Sequence, residues 1–298
     1  MESVRADAGD WSEAEPAPAR RIQLFVNPRA GTWRLRRVAA LRRAFEAQGA
    51  TVLVAPSHGG PLAIAETVDH VCAVGGDGTV RHVAAAVARA SRPLSMSVYP
   101  LGTVNLLARE CGYLHDPVAF ARRVTATPPK RTHYAAAIGD VPVLTCASVG
   151  PDSRAVERVS PWLKRLIGRA AYIVAFCGLL ARWPRSSLRV VADGRNVCCE
   201  AVYVAKGRFF AGRWSFAPAA AVDDPLLHVV ALERASRLTM LRFAWALLRG
   251  RVPRDATCFT CSALTIEGAE RFAVQADGDI VARLPVEIGV GLGTIAFC

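Results

Sequence analysis

The strongest constraint on this chain is an apolar run that ends in a glycine turn. Val71-Cys72-Ala73-Val74 passes directly into Gly75-Gly76-Asp77-Gly78-Thr79, after which Val80, Val83, Ala84 and Val87 repeat at helical spacing. A short β-rich run followed at once by apolar residues at i, i+3, i+4 and i+7 predicts a strand leading into an amphipathic helix, the repeating unit of a parallel sheet covered by helices. Glycine has no Cβ and tolerates positive φ, so a turn of this kind lets the backbone come close to an anion, and the N–H groups at the helix start point at it. Asp77 is the unusual member, because a carboxylate beside a phosphate is repulsive unless it orients a metal–water network or a substrate hydroxyl. The plain alternative is a tight βα turn capped by an aspartate.

The same alternation runs through the first 130 residues, with strands expected at Ile22–Val26, Thr51–Val54, Val71–Val74 and Met96–Tyr99. Between the first two, Val38, Leu41 and Phe45 share one helical face while Arg36, Arg37, Arg42 and Arg43 lie on others. Beyond Pro128-Pro129 the pattern changes to strands joined by turns: Leu188–Ala192, Asp193-Gly194 as a turn, Val197–Ala205, Leu226–Leu232, Ala263–Glu267, Phe272–Gln275 and Val286–Val290. Two basic, apolar-rich helical pieces interrupt it, Pro161–Trp183 and Ser236–Arg249. The expected organisation is a flexible tail over 1–20, an α/β domain over 21–130 and a β-rich domain over 131–298.

Composition narrows the setting. The 37 basic and 25 acidic residues give a net charge of +12, which attracts polyanions, anionic headgroups and nucleotides without choosing among them. Only Lys130, Lys164 and Lys206 are lysines; the remaining basic residues are arginines. The nine cysteines sit largely in apolar stretches without disulfide spacing, which fits a reducing cytoplasm, and Cys258-x-x-Cys261 lacks a second pair and reads as part of a strand. The acidic first twenty residues do not have the form of a secretion signal. The longest apolar run, Ala170 to Ala181, is short of the ~20 residues a spanning helix needs, so any membrane contact is expected from one side.

Two further turns repeat the first. The strand Met96–Tyr99 leads into Pro100-Leu101-Gly102-Thr103-Val104-Asn105 and a helix, and the first strand leaves through Asn27-Pro28-Arg29-Ala30-Gly31-Thr32. All three fall at the carboxyl edge of a parallel sheet, where open α/β sheets bind ligands. Neither a G-x-x-x-x-G-K-[ST] loop nor a G-x-G-x-x-G fingerprint is present. No His–carboxylate–Ser pattern suggests a hydrolase, and His58 and His82 read as ordinary polar residues.

Taken in order, Asn27-Pro28-x-x-Gly31, Gly75 to Thr79 and Pro100-x-Gly102-Thr103-x-Asn105-x-x-Ala108-Arg109 resemble the catalytic domain shared by diacylglycerol kinases, bacterial lipid kinases and sphingosine and ceramide kinases. In the second half the matching segments are Ala147-Ser148-Val149-Gly150, Ala217-Pro218-x-Ala220 with Asp223-Asp224-x-Leu226, and Val274-Gln275-x-Asp277-Gly278-Asp279. The resemblance implies an α/β nucleotide-binding domain like that of NAD kinases and phosphofructokinases, followed by a mostly β, sandwich-like domain. It implies ATP held by Asn27, Gly31, Gly75, Gly76, Asp77, Gly78, Thr79, Val80, Arg81, Gly102, Thr103 and Asn105. Asp77, Asp277 and Asp279 would promote transfer with Mg2+ to a lipid hydroxyl, diacylglycerol being the first choice. Asp224 and Leu226 fall at the family's structural magnesium site. Partners implied are ATP, a lipid and an anionic membrane surface, and not nucleic acid; a homodimer is compatible with the sequence.

Several positions depart from the family pattern. Asp279 stands where a glutamate usually accepts the proton, Pro225 where a glycine is common, Ala221 where a metal-site acid falls, His133 where an aspartate opens the second domain, and Leu106 where an acid often follows the asparagine. Two alternatives stay open: a phosphotransferase acting on a soluble hydroxyl compound, as NAD kinases do, and a catalytically weak nucleotide- or lipid-binding protein. Trp162, Leu163, Leu166 and Ile167, with Lys164 and Arg165, suit either an anionic bilayer surface or a helix packed on the sandwich; for Ser236–Arg249 packing is favoured.

Overall fold

The computed structural model describes residues 20–28, 30, 34–58, 60–126, 129, 131–158, 178 and 185–298. Apart from Arg20, the expected tail lies outside the described residues, as do Gly31 and nearly all of the helix expected at Pro161–Trp183. The chain folds as an N-terminal α/β layer followed by a β-sheet-rich half.

Strands β1 (Arg21–Val26), β2 (Thr51–Pro56), β3 (His70–Gly75) and β4 (Ser95–Pro100) are parallel in the order β2-β1-β3-β4. Helices α1 (Leu35–Glu46), α2 (Asp77–Ala88), α3 (Leu106–Glu110) and α4 (Pro117–Ala126) accompany them. All six residues of β3 are buried, as a strand covered on both faces requires. Helix α1 puts Val38, Leu41, Ala44 and Phe45 into the core, where Phe120 of α4 meets Phe45 and Tyr99 edge to face.

Next come β5 (Arg131–Ile138), β6 (Val141–Val143), β7 (Cys146–Val149), α5 (Pro151–Arg158), β8 (Leu188–Ala192), β9 (Arg195–Cys199), β10 (Ala201–Ala205) and β11 (Leu227–Leu232). They are followed by α6 (Arg237–Leu248), β12 (Thr257–Cys261), β13 (Ala263–Glu267), β14 (Ala273–Ala276), β15 (Asp279–Arg283) and β16 (Val286–Phe297). One sheet runs β12-β11-β10-β7-β14-β15. The other continues the parallel sheet as β4-β16-β13-β8-β9, with β5 and β6 attached through β16. Val190, Ile266 and Ile288 on the second of these pack against Val202, Val229 and Val274 on the first, forming the sandwich core.

Two features depart from the sequence reading. The strand expected over Val197–Ala205 is broken at Glu200 into β9 and β10, which belong to different sheets. Glu200 makes the jog: its N–H donates to Leu232 O (2.9 Å) and its carboxylate accepts from Ala235 N (2.8 Å). The last strand, expected to end at Val290, runs to Phe297 and pairs in parallel with β4 and antiparallel with β5. One ten-stranded sheet therefore crosses the boundary expected near residue 131.

Candidate functional site

The two described glycine turns are welded together by their backbones. Gly75 O accepts from Leu101 N (2.9 Å) and Gly102 N (3.1 Å), and a Cβ at Gly102 would overlap Gly76 Cα. No residue larger than glycine fits where two backbones touch. Asn105 sits in the left-handed region (φ 56°) and closes its own turn, accepting from Gly102 N (2.8 Å) and donating to Gly102 O (2.9 Å). The third turn joins through Asn27, whose Nδ2 donates to Thr79 Oγ1 (2.9 Å).

Asp77 is the brace between the turns. Its carboxylate accepts from Asn105 N (2.9 Å) and Leu106 N (2.6 Å), so it orders the start of α3 from the start of α2. Burial, with the negative charge of Asp277 nearby, pushes its pKa up to about 6, against the pull of those N–H donors. Val80 faces the core, and its N–H is committed to Gly76 O (3.0 Å). Arg81 turns away from the turn to the second half, donating to Ala276 O (2.7 Å) and pairing with Asp279 Oδ2 (2.9 Å).

The acidic pair 277 and 279 divides into two roles. Asp277, at φ 50° and 5% exposed, spends its carboxylate on Leu144 N (2.9 Å), Thr145 N (2.8 Å), Thr145 Oγ1 (2.6 Å) and Cys146 N (3.2 Å). A carboxylate receiving this many donors is a clamp on the 144–146 turn. Asp279 remains partly exposed, and its Oδ2 lies 2.9 Å from the point where a Gly78 Cβ would be. The acid therefore stands directly over the glycine turn.

A cavity of about 1100 Å³ opens from these groups. Its lining includes Gly76, Gly78, Gly102, Thr103 and Asp279 and, from a separate apolar cluster, Tyr203, Phe210, Trp214, Met240, Phe243 and Leu247. Asp152, at the first turn of α5, also lines it. Ser148 Oγ donates to Asp152 Oδ2, while its buried Oδ1 has no hydrogen-bond partner among the described residues. Burial raises its pKa to about 6. Sequence reasoning did not single out Asp152, since Gly150-Pro151-Asp152 signals only a helix start.

The metal position inferred at Asp224 and Leu226 has other partners. Asp224 Oδ1 accepts from Leu226 N (3.1 Å) and Oδ2 lies 3.5 Å from His228 Nε2. The backbone carbonyls of this loop converge on Lys206 Nζ, so the residues present do not fit a divalent cation there. His133 is buried, with Nε2 2.6 Å from Leu144 O, and burial pulls it down to about 4. Cys258 and Cys261 both lie on β12, exposed and buried respectively, as i and i+3 on a strand must be.

Comparison with known proteins matches residues 21–137 to the diacylglycerol kinase catalytic domain and residues 145–296 to the YegS C-terminal NAD kinase beta sandwich-like domain. A "Probable lipid kinase YegS-like" protein of Pseudomonas aeruginosa is 30% identical over 238 residues, 74% of this chain and 73% of its own length. One of the same description from Pseudomonas putida is 32% identical over 172 residues, 57% of this chain; the match spans only 58% of that relative. A crystal structure described as a diacylglycerol kinase from Bacillus anthracis superposes with a TM-score of 0.75 over 95% of this chain and 99% of that one, at 20% identity, a likeness of fold.

Proposed function

The chain belongs to the YegS-like lipid kinase family, whose members carry the diacylglycerol kinase catalytic domain, and from that premise we propose that it transfers the terminal phosphate of ATP to a hydroxyl of diacylglycerol or a related lipid. The observation that carries this reading is that one cavity is lined both by the glycine turns with Asp279 and by an aromatic and aliphatic cluster. A soluble polar acceptor has no use for walls of Tyr203, Phe210, Trp214 and Phe243; an acyl chain does.

In this reading the Gly75–Thr79 and Gly102–Asn105 turns cradle the phosphates, a role that fits the glycine positions a Cβ would fill. Asp77 holds the two turns in register. Asp279, oriented by Arg81, accepts the proton of the acceptor hydroxyl as its oxygen bonds to the γ-phosphorus and the bond to the β–γ bridging oxygen breaks, releasing ADP. Asp152, whose buried Oδ1 has no hydrogen-bond partner among the described residues by distance and angle and lies by the Tyr203 hydroxyl, suits a hydrogen bond from a lipid hydroxyl. The turn contains no lysine, so charge on the ATP phosphates would be neutralised by magnesium bound with the nucleotide, beside the Gly75–Thr79 turn and Asp279.

Helix α6 supports access from a bilayer. Met240, Phe243 and Leu247 face inward, while Leu238, Leu241, Trp245 and Leu248 form an exposed stripe on the opposite face. Packing on the sandwich, expected for this segment, thus accounts for one face only. Arg249, Arg251 and Arg254 line a hollow beside Leu241 and Trp245, with Arg242 there paired to Asp255 (3.1 Å), and Arg249 lies 4.4 Å over the Trp245 ring. Apolar side chains beside arginines suit an anionic interface. Among the described residues no helix is long and apolar enough to cross a membrane.

The test is labelled ATP with a mixed-lipid extract and wild-type or Asp279→Ala protein. Label in a lipid with wild type alone supports the reading, whereas equal label with both removes Asp279 from its role. ATP binding without lipid label at any magnesium concentration refutes the transferase assignment.

A further inference from the structure

Lys206 follows the end of β10 and is wholly buried. Its ammonium donates to the carbonyl oxygens of Ala221 (3.1 Å), Val222 (3.1 Å) and Asp224 (2.6 Å). An ammonium has three N–H donors and no acceptor, so three converging carbonyls satisfy it completely. Carbonyl oxygens gathered around one small volume, with acidic side chains in the same loop, are also the way proteins hold a hard divalent cation. Here the cation at the centre of the loop is part of the chain.

The surrounding residues are consistent with that exchange. A divalent ion wants several carboxylates; of the three positions that depart from the acidic pattern, Leu106 belongs to the glycine turns, while Ala221 and His133 lie beside the ammonium. Ala221 supplies one of the three carbonyls, and His133 is near enough for the positive charge of Lys206 to oppose its protonation. The carboxylate of Asp224 is directed to Leu226 N and His228 instead. The residue type also fits the task. This chain uses arginine almost everywhere and has only three lysines among 37 basic residues. A planar guanidinium directs its donors in a fork and cannot aim them at three oxygens around a point, as a compact ammonium can.

We infer that Lys206 is a built-in replacement for a structural divalent cation: it ties the 221–224 segment to the end of β10, and the β-rich half folds and holds its shape without bound metal. The consequence reaches the site through the backbone. Lys206 N and Gly207 N both donate to Thr145 O (2.8 and 2.9 Å), and Thr145 is one of the residues clamped by Asp277. Val222 O, besides receiving the ammonium, accepts from Tyr134 N (3.0 Å) on β5.

The inference is independent of the lipid acceptor and is tested without nucleotide or turnover. A metal that binds only the folded state raises Tm with its concentration. Purified nucleotide-free protein is therefore expected to show the same Tm in EDTA as in millimolar magnesium or calcium, and far less than one divalent ion per chain by elemental analysis. Lys206→Met is expected to lower Tm by roughly 5–10 °C in both buffers, because three buried carbonyls lose their donor. A stoichiometric divalent ion in the wild-type protein, or a Tm that climbs by several degrees on adding one, overturns the inference. So does a Lys206→Met protein with wild-type Tm. Should that variant fail to fold, the wild-type comparison still decides.

Discussion

Replacing Gly102 by alanine tests whether the contact between the two glycine turns is what makes the nucleotide cradle. The added Cβ would overlap Gly76 Cα and lie 2.6 Å from Asn105 Oδ1 and 3.2 Å from Gly76 N. Two of these three neighbours are backbone atoms, which cannot swing aside as the end of a side chain can. The turns must separate, and forced overpacking of this kind costs about 1–3 kcal/mol. Separation also strains the bonds from Gly102 N to Gly75 O and to Asn105 Oδ1, each contributing about 1 kcal/mol. A total of about 3 kcal/mol weakens ATP binding by roughly 100-fold if it falls on the bound geometry. If it falls on the fold it lowers Tm by roughly 6–12 °C. Calorimetric titration with ATP and magnesium, alongside thermal unfolding, separates the two. Gly291→Ala is the control, because a Cβ there meets nothing within 4 Å. A folded Gly102→Ala protein that binds ATP as tightly as wild type refutes the reasoning.

Asp277→Ala leaves the N–H groups of Leu144, Thr145 and Cys146 without their buried acceptor, a loss of about 3 kcal/mol or more, so Tm falls steeply; Asp279→Ala should leave Tm near wild type and reduce lipid phosphorylation by about 10²–10⁴-fold. If Asp277→Ala retains Tm and loses only turnover, the clamp assignment is wrong. Asp77 has a folded pKa of about 6 against an ordinary 3.8, so the folded protein takes up this proton first as pH falls. The ionised brace therefore costs about 3 kcal/mol at neutral pH, and that cost is relieved between pH 6 and 4 while the brace itself is lost. Turnover should accordingly decline below pH 6 in a pH–rate profile, with no loss of Tm arising from this group; a profile flat to pH 5 contradicts the assigned role. Leu241→Glu with Trp245→Glu should abolish sedimentation with anionic vesicles yet spare phosphorylation of a short-chain lipid, and unchanged sedimentation would eliminate the α6 stripe as the contact.

How much of this was legible in the sequence depends on the range of the interactions involved. The parallel α/β layer, the order of the three turns and the β-rich second half could be read directly, because strand and helix periodicity and the need for glycine at a tight turn are properties of neighbouring residues. Gly75, Gly76 and Gly102 could be marked from spacing, but the direct contact between Gly76 and Gly102 required the fold. Asp277 and Asp279, two residues apart, look alike in sequence; only the structure aims one at the 144–146 turn and the other over Gly78. The jog at Glu200 and the return of β16 to β4 depend on partners such as Leu232 and Ser95 from distant parts of the chain. Lys206 had no local signal either: an isolated lysine after an apolar strand is usually a solvated end, and it becomes an internal cation only because the 221–224 backbone folds around it. Local chemistry determined which segments form the phosphate turns and which become strands; tertiary packing decided which charges remain available for chemistry and which are consumed in holding the molecule together, because burial and hydrogen bonding across the chain set the cost of each charge.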